Sequence, residues 1–271
     1  MQMTVTVYAV GGGQMAEAIL RAALKKEVID PSSTTVTDIA EQRVEYLREK
    51  YGFDTQAELD KKKLTTADII LLGIRPQDNW KETIAQIGAT QTKAQVISII
   101  AGVTLAQLQK ASESKLALTR IIPNTLTDTG YGYSGAALGG EADRELVTPF
   151  LESFGKVDFI PEEQIDIYTG YAVCGPNYVY NFYIALTNAG VLSGLSRKQA
   201  NAVALENLKG AAEFLELTGK HAYELLDINN SAGGVGIAAQ HAIDASDFAA
   251  GIQNAVLAAV KRTTELGKKD E

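Results

Sequence analysis

The chain is poor in the residues that carry metal, redox and acid–base chemistry. Its 271 residues include one cysteine, Cys174, and two histidines, His221 and His241. One cysteine excludes an internal disulfide and any multi-cysteine zinc site. Two histidines make a multi-histidine centre improbable, so no metal is expected. A chain without disulfides suits a reduced, cytoplasmic setting. No apolar run reaches the roughly 18 residues needed to span a bilayer, and no membrane partner is expected. Basic charge is also scarce: 25 Lys+Arg against 33 Asp+Glu leave a net charge of −8, which argues against a nucleic-acid partner. The one dense basic run, residues 61–63, reads as a solvated helix end. Residues 1–10 lack a basic leader and a cleavage site and are expected to belong to the mature fold.

What is present is enough for a sizeable core. Hydrophobic residues make up 46% and charged residues 21%, and the length accommodates two domains. The first half alternates strand and helix signals. Residues 4–10 form a β-branched run that ends at Gly11-Gly12-Gly13, a strand entering a tight turn. Met15, Ala18, Ile19, Ala22 and Ala23 then make one apolar helical stripe. Residues 34–37 predict a second strand, closed by Asp38, and residues 41–51 a helix. Residues 67–74 and 96–100 are nearly all apolar, as in parallel strands covered on both faces; 116–122 and 133–138 are further strand candidates. This order implies right-handed β-α-β crossovers and a doubly wound parallel sheet, an α/β fold. Beyond Phe159 no strand is evident and helical spacing takes over, with a cap at Ser196 and a last helix through Val256, Leu257 and Val260. The expected division is 1–158 and 159–271.

The first chemical signal is Gly11-Gly12-Gly13-Gln14-Met15-Ala16, which fits G-x-G-x-x-[G/A] between a strand and a helix. Gly11 permits the tight turn, Gly13 lets the backbone approach a pyrophosphate, and Ala16 lets the helix sit close to the strand. The first-turn N–H groups and the helix dipole favour phosphate charge. Asp38, 25 residues past Gly13, either binds the adenosine ribose 2′-OH, which favours NADH, or caps the following helix. Arg43 stands within reach of a 2′-phosphate, so NADPH stays open and the preference for NADH is weak.

Further segments occur in a characteristic order: Ile74-Arg75-Pro76-Gln77, Ser98-Ile99-Ile100-Ala101-Gly102-Val103, Ile122-Pro123-Asn124-Thr125, Cys174-Gly175-Pro176-Asn177-Tyr178, Ala189-Gly190-Val191-Leu192-Ser193-Gly194, His221-Ala222-Tyr223-Glu224-Leu225 and Ser231-Ala232-Gly233-Gly234. Together with the glycine turn, this series resembles the pyrroline-5-carboxylate reductase family over essentially the whole chain. The resemblance implies an N-terminal Rossmann domain followed by an all-helical dimerisation domain. It implies hydride transfer from NADPH or NADH to the C=N carbon of a cyclic imine, most simply 1-pyrroline-5-carboxylate going to L-proline. It also implies a homodimer, with rings such as a decamer as a higher form. Carried over by position, the cofactor residues are Gly11, Gly13, Gln14, Met15, Asp38, Arg43, Ile74, Arg75, Pro76, Ala101, Gly102, Pro123 and Asn124. Arg75-Pro76 stands where the family has Lys-Pro.

The substrate side departs from the family. Ala172-Val173-Cys174-Gly175-Pro176 stands for Ser-Gly-Ser-Gly-Pro, and Asn230-Ser231-Ala232-Gly233-Gly234-Val235-Gly236 for Thr-Ser-Pro-Gly-Gly-Thr-Thr. Hydroxyls are missing, and the resemblance gives the second Thr, here Gly236, a hydrogen bond to substrate. A hydrogen bond to a charged partner is worth roughly 1.5–3 kcal/mol, enough to change the substrate. Gly175, Pro176, Ser231, Gly233, Gly234, Val235 and Gly236 remain the expected substrate residues. The Gly233-Gly234 loop and a helix starting near Val235 offer an anion grip, or simply a helix connection. Iminium reduction needs alignment and water exclusion more than acid–base machinery. Tyr171, Cys174, Ser231 and Tyr178 are the proton-donor candidates, with Cys174 also readable as a small buried hydrophobe. His221 reads as a helix start and His241 as a surface or interface residue. Two alternatives stand beside this reading: a reductase of the same fold acting on another cyclic imine, and a dinucleotide-binding protein without catalysis. A 3-hydroxyacid dehydrogenase is disfavoured because the stretch 175–195 holds no lysine.

Overall fold

The computed structural model describes residues 5–267. The N-terminal part of the first expected strand, Thr4, and residues 1–3 lie outside the described residues. Elements follow in the order β1 (Val7–Val10), α1 (Gln14–Lys25), β2 (Thr34–Thr37), α2 (Glu41–Tyr51), β3 (Asp54–Gln56), α3 (Lys61–Thr66), β4 (Ile69–Leu72), α4 (Trp80–Ala89), β5 (Gln95–Ser98), α5 (Leu105–Ser112), β6 (Ala117–Ile121), β7 (Tyr133–Gly140), α6 (Arg144–Glu152) and β8 (Lys156–Phe159). From there the chain is helical: α7 (Ile165–Tyr168), α8 (Gly175–Leu192), α9 (Arg197–Thr218), α10 (Ala222–Asn229), α11 (Val235–Asp244) and α12 (Phe248–Gly267).

The strands form one sheet in the order β3-β2-β1-β4-β5-β6-β7-β8. All neighbours are parallel except β6 and β7. The expectation of a parallel sheet therefore holds for β1 to β6, and the last two strands run the other way. Successive β1 side chains feed opposite layers. Val7 and Ala9 join the core beneath α1 and α6, with Ile19, Leu20 and Phe150. Tyr8 and Val10 join the core beneath α4 and α5, with Ile84, Ile87 and Leu108. Burial on both faces explains why β4 and β5 read as apolar runs.

The chain forms two compact units, residues 5–174 with 258–267, and Gly175–Leu257. The end of α12 thus belongs to the first unit, where Thr264 Oγ1 donates to Asp166 Oδ2 at 3.0 Å. In the second unit α8 and α9 form a hairpin. A Cβ on Gly190 would lie 2.9 Å from Ala200 Cβ, so glycine permits the close approach. Ser196 caps α9 reciprocally with Gln199, as its position predicts. His221 caps α10, its Nδ1 accepting from Tyr223 N. His241 is exposed.

Candidate functional site

The order of strands reverses at β1, with β2 on one side and β4 on the other. A doubly wound sheet opens its ligand crevice there, beyond the carboxyl ends of the strands. The turn after β1 lies at that point. Gly11 has φ +93°, and a Cβ there would come within 2.8 Å of the Gly73 carbonyl. Glycine is required at Gly11 by backbone geometry and by the turn after β4. Gly73 is tight as well: a Cβ would meet Ala16 Cβ at 2.9 Å. Ala16 and Gly73 are thus the small pair that seats α1 against β4. At Gly13, by contrast, a Cβ would meet nothing within 4 Å. Gly13 opens on free space in front of α1, where a diphosphate would be received by first-turn N–H groups. Gln14 is exposed and Met15 partly buried beside that space. The donor set fits the diphosphate of a dinucleotide.

Gly12 lies behind the turn, clamped on both sides. Its N–H donates to Asp38 Oδ2 at 2.8 Å, and its carbonyl accepts from Arg43 Nε. Asp38 Oδ1 accepts from Ala40 N at 2.9 Å. Ala40 is the N-cap residue of α2 and has no capping side chain of its own, so Asp38 supports the start of the helix as well as the glycine turn. Arg43 is turned inward, pairing with Glu17. Glu17 is a residue the sequence pattern did not single out. Its side chain is 4% exposed and also accepts from Arg21, Lys50, Tyr46 and Tyr51. Burial alone would raise its pKa, but hydrogen bonds from Tyr51, Arg43 and Lys50 outweigh it and bring the group down to about 2. The available signal was an acid inside an otherwise small and apolar helix start, Ala16-Glu17-Ala18.

The remaining cofactor candidates lie at the same edge of the sheet. Ile74, Arg75 and Pro76 follow β4. Exposed Arg75 donates through Nε and NH2 to Asp78, which holds its guanidinium above its ordinary pKa. Ala101 and Gly102 follow β5, Gly102 with φ +78°. Pro123 and Asn124 follow β6. Asn124 is buried; its Oδ1 accepts from Leu126 N, and its Nδ2 donates to Ala172 O at 3.0 Å. That bond ties the strand end to the π-helical turn Thr169–Val173. Tyr171 projects from this turn and is largely exposed, and Cys174, just after it, is partly exposed rather than buried. Nearby Tyr168 is pushed up to about 12 by its hydrogen bond to Asp158.

The substrate candidates fall in the second unit. Gly175 and Pro176 open α8, and Val235 opens α11 after the loop through Ser231. Ser231 is exposed. Gly233 has φ +66° with open space around it, and a Cβ on Gly234 would strike Ser231 Oγ. A Cβ on Gly236 would come within 2.5 Å of Asn229 O and 2.6 Å of Asn230 Oδ1. No threonine fits there without a backbone shift. Among the described residues no cluster of three His, Cys, Asp or Glu side chains is disposed to hold a metal ion. No helix there is long and apolar enough to cross a membrane.

Residues 162–266 match the family model described as pyrroline-5-carboxylate reductase dimerisation, and residues 6–102 match that of NADP oxidoreductase coenzyme F420-dependent. A pyrroline-5-carboxylate reductase from Synechocystis is 31% identical over 98% of this chain and 100% of the relative. One from Pisum sativum is 32% identical over 95% and 94%. The chain belongs to the pyrroline-5-carboxylate reductase family. Its fold is that of a solved pyrroline-5-carboxylate reductase from Coxiella burnetii, with a TM-score of 0.88, 25% identity, and 97% and 99% of the two chains covered. A Plasmodium falciparum pyrroline carboxylate reductase solved with NADP bound shares the fold at a TM-score of 0.84 and 23% identity, over 97% and 98% of the chains.

Proposed function

We propose that this chain reduces the C=N bond of 1-pyrroline-5-carboxylate to give L-proline at the expense of NADPH or NADH. The observation that carries this reading is the end-to-end similarity to relatives named pyrroline-5-carboxylate reductase. The open face of Gly13 and the positive φ of Gly11 support it. Gly11, Gly13, Gln14 and Met15 receive the diphosphate, and Asp38 the adenosine ribose. Ile74, Arg75 and Pro76, with Ala101, Gly102, Pro123 and Asn124, border the nicotinamide side. When bound, the reduced nicotinamide supplies a hydride to the imine carbon. The imine nitrogen carries or gains one proton, so one hydride and one proton complete the amine. The chain's task is to align the two carbons and exclude water. Gly175, Pro176, Ser231, Gly233, Gly234, Val235 and Gly236 hold the substrate, its carboxylate facing the uncapped N–H groups at the start of α11. Tyr171, Cys174 and Ser231 are the side chains offered for the proton.

The functional division falls at 158/159, with a nucleotide-binding part before it and a part for substrate and self-association after it. The working form is a cytoplasmic homodimer, and rings of dimers are its higher form. A second reading, a reductase for a different cyclic imine, is favoured by the crowding at Gly236. Cofactor oxidation over a panel of five- and six-membered imines, with and without a carboxylate, separates the two. The five-membered carboxylated imine is expected to turn over fastest; negligible turnover of it beside real turnover of another imine would reverse the assignment.

A further inference from the structure

The geometry points to a coenzyme without a 2′-phosphate: this chain selects NADH over NADPH, through Asp38 and through the removal of nearby cations from the ribose end. The inference rests on the dinucleotide reading above and deepens it. A 2′-phosphate brings close to two negative charges and only acceptor oxygens, so it needs cations or hydroxyl and N–H donors around it. A free ribose instead offers hydroxyl donors, which a carboxylate accepts.

The segment that follows β2 has the composition for the second case. Asp38-Ile39-Ala40-Glu41-Gln42 contains two acids and no basic or hydroxyl side chain. Asp38 is held in place by two backbone donors, Gly12 N and Ala40 N, at 2.8 and 2.9 Å. A carboxylate has about four acceptor positions, so two remain for ribose hydroxyls. Ile39 beside it is 92% exposed, an apolar surface with nothing to offer a phosphate.

The cations near the ribose end each have a partner within the protein. Arg43 donates inward to the Gly12 carbonyl and pairs with Glu17. Glu17 also engages Arg21 and Lys50, so one buried carboxylate gathers three cations. Arg75 follows β4, which flanks β1 on the side opposite β2. Its guanidinium and its backbone N–H are bound by Asp78 at 2.8 to 3.3 Å. A 2′-phosphate at this edge would therefore face Asp38 and Glu41 with no uncommitted partner in the segment. Glu17 and the Gly12 carbonyl together hold the Arg43 guanidinium inward.

The test is direct binding, followed by nicotinamide fluorescence or calorimetry with no imine present. The wild-type protein is expected to bind NADH at least about tenfold more tightly than NADPH. Asp38→Ser is expected to weaken NADH and narrow that ratio by roughly the same factor. Because Asp38 also braces Gly12, Asp38→Asn serves as the milder variant: it keeps the side chain's size and one acceptor oxygen for Gly12 N, gives up the bond to Ala40 N, and should narrow the ratio while the protein stays folded. Equal or tighter binding of NADPH by the wild type overturns the inference, as does an unchanged ratio in folded Asp38→Asn. Selective NADH binding without reduction of any imine supports the inference and overturns the reductase reading instead.

Discussion

Glu17 shows how one buried carboxylate organises the charged side chains around it. It lies in α1 among Arg21, Arg43, Lys50, Tyr46 and Tyr51. Desolvation opposes its charge, and the hydrogen bonds from Tyr51, Arg43 and Lys50 more than restore it, lowering its pKa from 4.5 to about 2. The folded state thus binds this proton less readily than the unfolded chain, and the group adds stability that is complete above about pH 4.5 and lost as pH falls toward 2. With part-exposed cations screening the interaction, the contribution is of order 2 kcal/mol. Glu17→Gln should unfold at lower urea than wild type at pH 7, and the gap should close between about pH 4.5 and 2. A gap constant across that range would assign the effect to packing rather than charge.

At the scale of the element, sequence signals were strongest where one side chain serves one local need. Ser196 is such a case: its Oγ accepts from Gln199 N while Gln199 Oε1 accepts from Ser196 N. Ser196→Ala should lower stability by about 1 kcal/mol and Ser196→Gly by only a few tenths. Thermal unfolding of both variants checks this, and equal losses would show that the hydroxyl is not the cause. The β2 strand, the α2 helix, the Ser196 cap and the start of α11 at Val235 were all legible from residue type and spacing. Two strands were not. β3 is three residues long and polar, and it is held by contacts distant in sequence such as Gln56 Nε2 to Tyr8 OH at 2.8 Å. β8 at the sheet edge is partly exposed throughout, so it lacks the apolar run that marked β4 and β5. The reversed direction of β7 was equally invisible, because side-chain alternation is the same for either direction.

At the scale of the whole molecule, the second unit leaves much apolar surface uncovered by its own chain. Val179 and Ile184 on α8, Phe214 and Leu217 on α9, Val235 on α11 and Leu257 on α12 are exposed. Exposed apolar surface on this scale marks an association site, and residues 162–266 match a family model described as a dimerisation domain. Light scattering at micromolar concentration should report at least twice the 29.0 kDa chain mass. A stable monomer would contradict this reading. The candidate site was legible in the same graded way. The glycine turn, Asp38 and the ends of β4, β5 and β6 carried their own local marks. The inward turn of Arg43, the clamp on Gly12 and the crowding at Gly236 did not, since each depends on residues brought from elsewhere in the chain.

The amino-acid order alone determined the α/β alternation, the glycine turn after β1 and the switch to helices after Phe159. Each follows from local rules: side-chain periodicity, backbone freedom at glycine, and capping. Tertiary structure alone decided which charges are spent internally and which are left for a ligand. Whether Arg43 faces a nucleotide or Glu17 depends on how α1 and α2 pack across β1 and β2, and a burial-dependent competition of that kind has no signature in sequence spacing.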